Sequence, residues 1–320
     1  MGARSSPEVG GGASAPSLTT TLVLRRSLRG KRFPIGDVVI QALLLVTIVV
    51  AIGVLVLLIE DVSVNAWPVL RQRGTNFLTT SNSSFSFNAG VAQGIAGSVE
   101  LILFVLVFAV PIGVGSAIYL EEYASDSRFT RFLVANVRNL AGVPSIVYGI
   151  LGLIIFAEFL KPLTGGLSVI SGGLTLAIVV LPIVIITSSE ALRAVPSTIR
   201  EAGFGVGATR WEVIRSLVLP SAAPGILTGT VLTLARAIGE TAPLLLVGAI
   251  LGFFSTGNAS FFGSLRGPYT SLPTIIFNWS TQPNADFRHL TSAAIVVLLS
   301  VLLCINATAI ILRNRYERRW

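Results

Sequence analysis

The chain lacks most of the side chains that enzymes use. Its 320 residues hold one cysteine, Cys304, and one histidine, His289. A single cysteine excludes an intrachain disulfide, and one of each argues against a His/Cys metal cluster. No G-x-x-x-x-G-K-[ST] phosphate-binding loop occurs, so this chain is not expected to hydrolyse ATP. H-E-x-x-H and G-x-S-x-G are also missing, and one histidine leaves little general-base chemistry. Charge is scarce: Asp, Glu, Lys and Arg make up 12% of the chain, against roughly 25% in soluble domains. The expectation is neither an enzyme nor a soluble domain, with no cofactor and no metal.

What is present is apolar. Hydrophobic residues are 52% of the sequence, and the mean hydropathy is +0.81. Runs of about 20 apolar residues, the length a helix needs to cross the hydrocarbon core, recur along the chain. Six are read as spans: Gly36–Ile59, Ile95–Leu120, Asn139–Leu160, Ser168–Ser188, Gly225–Phe253 and Thr291–Leu312. A buried soluble core could supply one or two such runs, and barrel strands would alternate and be shorter. The fold class is therefore an all-α polytopic membrane protein with six transmembrane helices.

Lys and Arg set the orientation. An even number of spans puts both termini on one side. That side carries Arg4, Arg25, Arg26, Arg29, Lys31 and Arg32 in the N-terminal arm, and Arg313, Arg315, Arg318 and Arg319 in the tail. Its loops add Arg128, Arg131, Arg138, Arg193, Arg200, Arg210 and Arg215, whereas the opposite side has only Arg71, Arg73, Lys161, Arg266 and Arg288. The excess marks both termini as cytoplasmic in a plasma-membrane protein. The net charge of +8 then calls for anionic lipid rather than nucleic acid.

The division expected is a disordered basic arm over 1–32 and a six-span domain over 33–320, with a polar hairpin at 190–222. Span one is too long for a signal-peptide core and is read as a retained signal anchor. Asn82, Asn258 and Asn278 begin sequons on the outer side, and Cys304 is read as a small packing residue.

The fifth span holds the unusual chemistry. Arg236 and Glu240 are four residues apart and share a helix face. Counted from Gly225, Arg236 falls about 17 Å into a core about 30 Å thick, where an arginine must face protein or water. Pro243 withholds an N–H from the carbonyl of Gly239, beside Glu240. Two readings stand: a translocation path, or an ion pair that fixes helix packing. Glu100 and Glu158, at the outer ends of spans two and three, are weaker candidates for the path.

Between spans four and five, Glu201-Ala202-Gly203 is followed by three residues, Gly207, nine residues and Leu217-Val218-Leu219-Pro220. This resembles the cytoplasmic EAA loop of ABC-importer permeases, with Gly203 in place of an Ala and Leu217 in place of an Ile. It reads as a short helix, a break at Gly207, and a second short helix carrying Trp211, Val213 and Ile214 into a partner's groove. The run from Ala235 to Leu245, containing Gly239-Glu240-Thr241-Ala242-Pro243-Leu244-Leu245, is similar to the AR-x-x-GETAPLL segment of PstA-type permeases of phosphate ABC importers. Three further stretches resemble that family: 111–123, 142–147 and 271–276. The likeness covers roughly 90–312.

This resemblance implies the type I importer permease fold and an ATP-driven import of inorganic phosphate. It implies a PstC-type permease as heterodimer partner, two PstB-type ATPase subunits and an extracytoplasmic phosphate-binding protein. Arg236, Glu240 and Thr241 would serve the substrate path or gate. Glu201, Ala202, Gly207, Leu219 and Pro220 would couple to the ATPase. A permease for a related oxyanion or phosphonate, and a non-transporting membrane sensor or scaffold, remain as alternatives.

Overall fold

A computed structural model describes residues 35–249, 263 and 265–316. The basic arm, the Asn258 sequon and the Arg318–Arg319 end lie outside them. The chain divides into two units, 1–59 and 60–320. In the first, the described residues are the apolar part of helix α1 (Ile35–Arg73), where Thr47 Oγ1 donates back to Leu43 O at 2.9 Å.

In the second unit the described elements are helices, apart from an isolated bridge between Ala249 and Tyr269. Besides the short turns Thr75–Thr79, Ser86–Asn88 and Lys161–Thr164, they include α2 (Ala92–Tyr123), α3 (Arg128–Ala141), α4 (Ser145–Phe159), α5 (Val169–Arg193), α6 (Ser197–Gly205), α7 (Arg210–Gly239), α8 (Ala242–Leu246), α9 (Leu272–Ser280) and α10 (Asp286–Tyr316). Five helices among the described residues are long and apolar enough to cross a membrane, or six if the bent pair α3–α4 is one span.

Helix α5 is the centre: 67% of its apolar window is buried, against 33% for α2, α7 and α10. Ser168 caps it, accepting from the N–H of Ser171, so the expected start of span four was correct. Lipid tails are as apolar as leucine and supply no hydrophobic drive between spans, so close approach has to come from small residues. A Cβ at Gly113 would come within 2.6 Å of Val184, and one at Gly229 within 2.6 Å of Thr187. Those two glycines seat α2 and α7 against α5. A Cβ at Gly115 of the same helix would meet nothing within 4 Å.

Five prolines sit inside long helices without ending them, Pro68, Pro111, Pro182, Pro220 and Pro224, and two of them follow a widened turn. The turns Val105–Ala109 and Ile214–Val218 are widened to π geometry just ahead of Pro111 and Pro220. A proline ring clashes with the carbonyl four residues back. In both cases that carbonyl, of Val107 or Ser216, lies in the widened turn, which gives the ring room.

Three spans differ from expectation: the helix of the first runs past Ile59 to Arg73, and two others are broken. Asn139–Leu160 is not one helix: the chain bends by 98° between α3 and α4. Pro144 starts α4, and the residue before a proline is driven out of the α region. Gly225–Phe253 is not one helix either. Helix α7 begins at Arg210 and stops at Gly239, with Glu240 extended (ψ 120°). Hydropathy runs unbroken across both sites, which is why composition alone merges them.

Candidate functional site

The 201–220 hairpin is built on α6 and the first turns of α7. Gly207 joins them at φ 82°, a left-handed conformation that side-chain-bearing residues rarely adopt. Thr209 then opens α7 through a capping box: Glu212 Oε2 accepts from Thr209 N at 2.8 Å, and Thr209 Oγ1 accepts from Glu212 N. The second short helix expected from sequence is thus the start of the long α7, and Pro220 lies within that helix rather than ending the hairpin.

The faces also differ from the sequence reading. Val213 and Ile214 are buried at 2% and 1%, while Trp211 points outward at 54%. Gly203 explains the inward turn of Val213. A Cβ there would lie 2.8 Å from Val213 and 2.9 Å from Leu217, so the glycine lets α6 close onto α7. Phe204 and Val206 join Trp211 as the exposed apolar residues of the hairpin. Glu201 and Ala202 are exposed on α6, and Glu201 makes no ion pair or side-chain hydrogen bond among the described residues. Leu219 is half-buried and Pro220 exposed.

Sequence reasoning missed what lies behind the hairpin. The last turn of α2, Tyr119–Tyr123, is again widened to π geometry. Its three final residues each meet an arginine from a different segment. Glu121 Oε2 accepts from Arg193 Nε at 2.7 Å, at the end of α5. Glu122, only 7% exposed, takes Arg200 of α6, with Nη2–Oε1 at 2.6 Å and Nε 3.2 Å from both oxygens. Arg210, the first residue of α7, lies over the Tyr123 ring at 5.1 Å. Arg200 also donates to Val195 O and Leu192 O, at 2.8 and 3.0 Å. Leu192 O is in the last turn of α5, where helices leave acceptors without an intrahelical partner, and Val195 O lies just past it. The available signal was two adjacent glutamates at the arginine-rich end of a span.

At the other end of α7, Arg236 occupies the last turn, where a cation suits the helix dipole. Its place in that turn replaces the depth counted from Gly225. Arg236 Nε lies 3.4 Å from Glu240 Oε1, so the structure brings the expected pair together. The arginine side chain is 59% exposed and the glutamate 14%. Its Nη donors have no partner among the described residues. The break beside Glu240 does not come from Pro243 interrupting a continuous helix. Pro243 sits at the second position of the new helix α8, where no intrahelical N–H is needed. Thr241 is half-buried in the connection.

Helix α8 is held by close contacts. A Cβ on Gly149 of α4 would lie 2.7 Å from Pro243 Cα. The buried Tyr269 phenol reaches toward Leu244 O, and burial pushes its pKa up. Glu100 lines a separate cavity of about 250 Å³ with Ser81, Gln93, Tyr269 and Thr270. Glu158 is exposed on α4. Asn82 is buried and accepts from Trp279 Nε1 at 3.2 Å, which leaves its sequon inaccessible. Cys304, expected in packing, is exposed on α10. His289 Nδ1 lies 3.0 Å from Asn65 O, a structural contact.

With this geometry in place, the likeness to known proteins is informative. Residues 109–320 match the family described as binding-protein-dependent transport system inner membrane component. The chain is 37% identical over 229 residues to the phosphate transport system permease protein PstA of Xylella fastidiosa, covering 71% of this chain and 76% of that protein. It is 31% identical over 299 residues to the phosphate transport system permease protein PstC of Mesorhizobium japonicum, covering 85% and 88%. A solved bacterial ABC transporter involved in the import of the acidic polysaccharide alginate aligns at TM-score 0.55, over 88% of this chain and 97% of that one. At 16% identity that likeness speaks for the fold alone.

Proposed function

The chain belongs to the family of binding-protein-dependent transport system inner membrane components, and we propose that its cargo is inorganic phosphate. Membership makes it a multi-pass inner-membrane permease subunit of an ABC importer, working with an ATPase and a substrate-binding protein rather than acting as a catalyst. The finer reading supplies a PstC-type permease as the other half of the path and two PstB-type ATPase subunits. Both termini and the 201–220 hairpin face the cytoplasm in this reading, from the arginine excess on that side.

The observation that carries the cargo assignment is Arg236. Its side chain is 59% exposed, and one carboxylate holds it on the Nε side. The two Nη groups remain as paired donors for the oxygens of a tetrahedral anion. Glu240 adds selectivity. A phosphate that still carries a proton can donate it to a carboxylate, whereas sulfate has none to give and is repelled. Closure of the ATPase pair would push on Glu201, Ala202 and the Phe204–Trp211 surface, around the Gly207 turn. Leu219 and Pro220 would carry that push into the body of α7.

The test is ATP-dependent uptake of radiolabelled phosphate into liposomes holding the chain with its permease partner, ATPase and binding protein. Unlabelled phosphate should block uptake, while sulfate, molybdate and a phosphonate should not. A complex that assembles and hydrolyses ATP without phosphate uptake sinks the cargo assignment. Competition by one of the other anions transfers it to that anion.

A further inference from the structure

We propose that Glu121, Glu122 and Tyr123 form a clasp that transmits movement of the hairpin to α2, with Glu122–Arg200 as its central pair. The inference rests on the reading of 201–220 as the ATPase-coupling loop and adds three positioning residues outside that loop.

The geometry is specific to transmission. Consecutive residues on an α-helix fan apart by about 100° each, so three in a row do not normally face one neighbourhood. The π turn at Tyr119–Tyr123 narrows that fan, and widened turns of this kind cluster at functional sites. As a result one turn of α2 grips the end of α5 through Arg193, the first hairpin helix through Arg200 and the second through Arg210.

Beneath these contacts is an apolar layer that includes Ala117, Leu192, Val213, Val218 and Ile226. Apolar side chains can slide past one another when a helix is pushed. Hydrogen bonds from a guanidinium to a carboxylate are directional and resist sliding. Arg200 spends five hydrogen bonds here, three on Glu122 and two on carbonyls at and just past the end of α5. A displacement of α6 therefore reaches α2 and α5 together. Lysine has one ammonium and no fork, so it cannot hold these partners at once.

The pair is also nearly dry, with side-chain exposures of 24% and 8%. Desolvation makes a buried ion pair a poor source of stability compared with an apolar one, so its presence calls for a role besides packing. A fixed register between the hairpin and α2 is such a role.

The experiment uses the complete importer in nanodiscs and liposomes. Nitroxide labels go on S125C, just past the clasp, and S197C, the first residue of α6, in a C304A background. Both sites are exposed. In the otherwise native chain the S125–S197 distance distribution should stay the same between nucleotide-free and ATP–vanadate states, because the two sites move together. In E122Q it should shift or broaden on adding nucleotide. Uptake per ATP hydrolysed should fall at least about fivefold, the lower end of typical couplings between sites. The charge swap E122R/R200E should recover part of the ratio, and R200K should not restore it.

An unchanged distance, or an unchanged ratio, in an assembled E122Q complex overturns the clasp. If E122Q fails to assemble, R193Q decides, since its bridge is half-exposed and less needed for folding. A normal distance and ratio there overturn the proposal, and a shifted distance with a lowered ratio upholds it. The distance measurement needs no transported substrate, so it stands even if phosphate proves to be the wrong cargo.

Discussion

The hairpin side of the molecule and the far end of α7 carry arginine–glutamate chemistry of opposite character. At the hairpin end, Arg200 meets Glu122 at 2.6 Å with five hydrogen bonds and little water. At the far end, Arg236 meets Glu240 at 3.4 Å with the arginine 59% exposed. The first site is complete within this chain. The second has one wall, with unused donors on its open side. A pair that holds elements in register has to be saturated. A pair with the proposed role of meeting a passing anion has to keep donors free.

Breaking the saturated site should have the largest effect. E122A leaves the Arg200 guanidinium without its carboxylate, at a cost of about 3 kcal/mol, and thermal unfolding of the assembled complex should show it. R236Q tests the other side of the contrast. Phosphate uptake should fall about 10- to 100-fold, as expected when charge-assisted hydrogen bonds are lost, while the melting temperature stays put. A matching loss of assembly in R236Q would return the pair to a packing role.

G149A sharpens the comparison by moving the open site without touching its charges. The added methyl meets the Pro243 backbone at 2.7 Å, so α8 must shift. Overpacking of this kind costs about 2 kcal/mol and should lower uptake and melting temperature together. G207A is smaller. Nothing crowds that position, so only the φ of 82° is strained, at about 1 kcal/mol of hairpin stability, read as weaker ATPase binding. D126N is the control. The Arg131–Asp126 bridge is 3.5 Å long with both side chains mostly exposed, and its loss should change stability by less than about 0.5 kcal/mol.

Much of this was legible in order along the chain. Ser168 announced the start of α5 because a hydroxyl ahead of an apolar run caps a helix. Gly207 announced the hairpin turn because few residues tolerate φ > 0. Arg236 and Glu240 announced their pairing because four residues make one helical turn. Local chemistry decided each of these. The bend at Pro144 was written in the same local chemistry, but an unbroken hydropathy profile hid it.

The rest was not legible, for a physical reason. Glu122 and Arg200 are 78 residues apart, and no local rule selects that pair among the arginines gathered on one side of the membrane. Likewise the inward turn of Val213 depends on Gly203 admitting it from another helix.

The sequence by itself determined that this chain is helical, membrane-spanning, dependent on a separate ATPase and equipped with an arginine and a glutamate four residues apart in an apolar run. Hydropathy, charge asymmetry and motif spacing can be read along the chain without knowing which distant segments meet. Only the tertiary structure decided which faces of the hairpin are open, where α7 ends and which glutamate holds which arginine. Those outcomes depend on side chains brought together from distant segments at close-packing distances, where one missing methyl or one widened turn selects the partner.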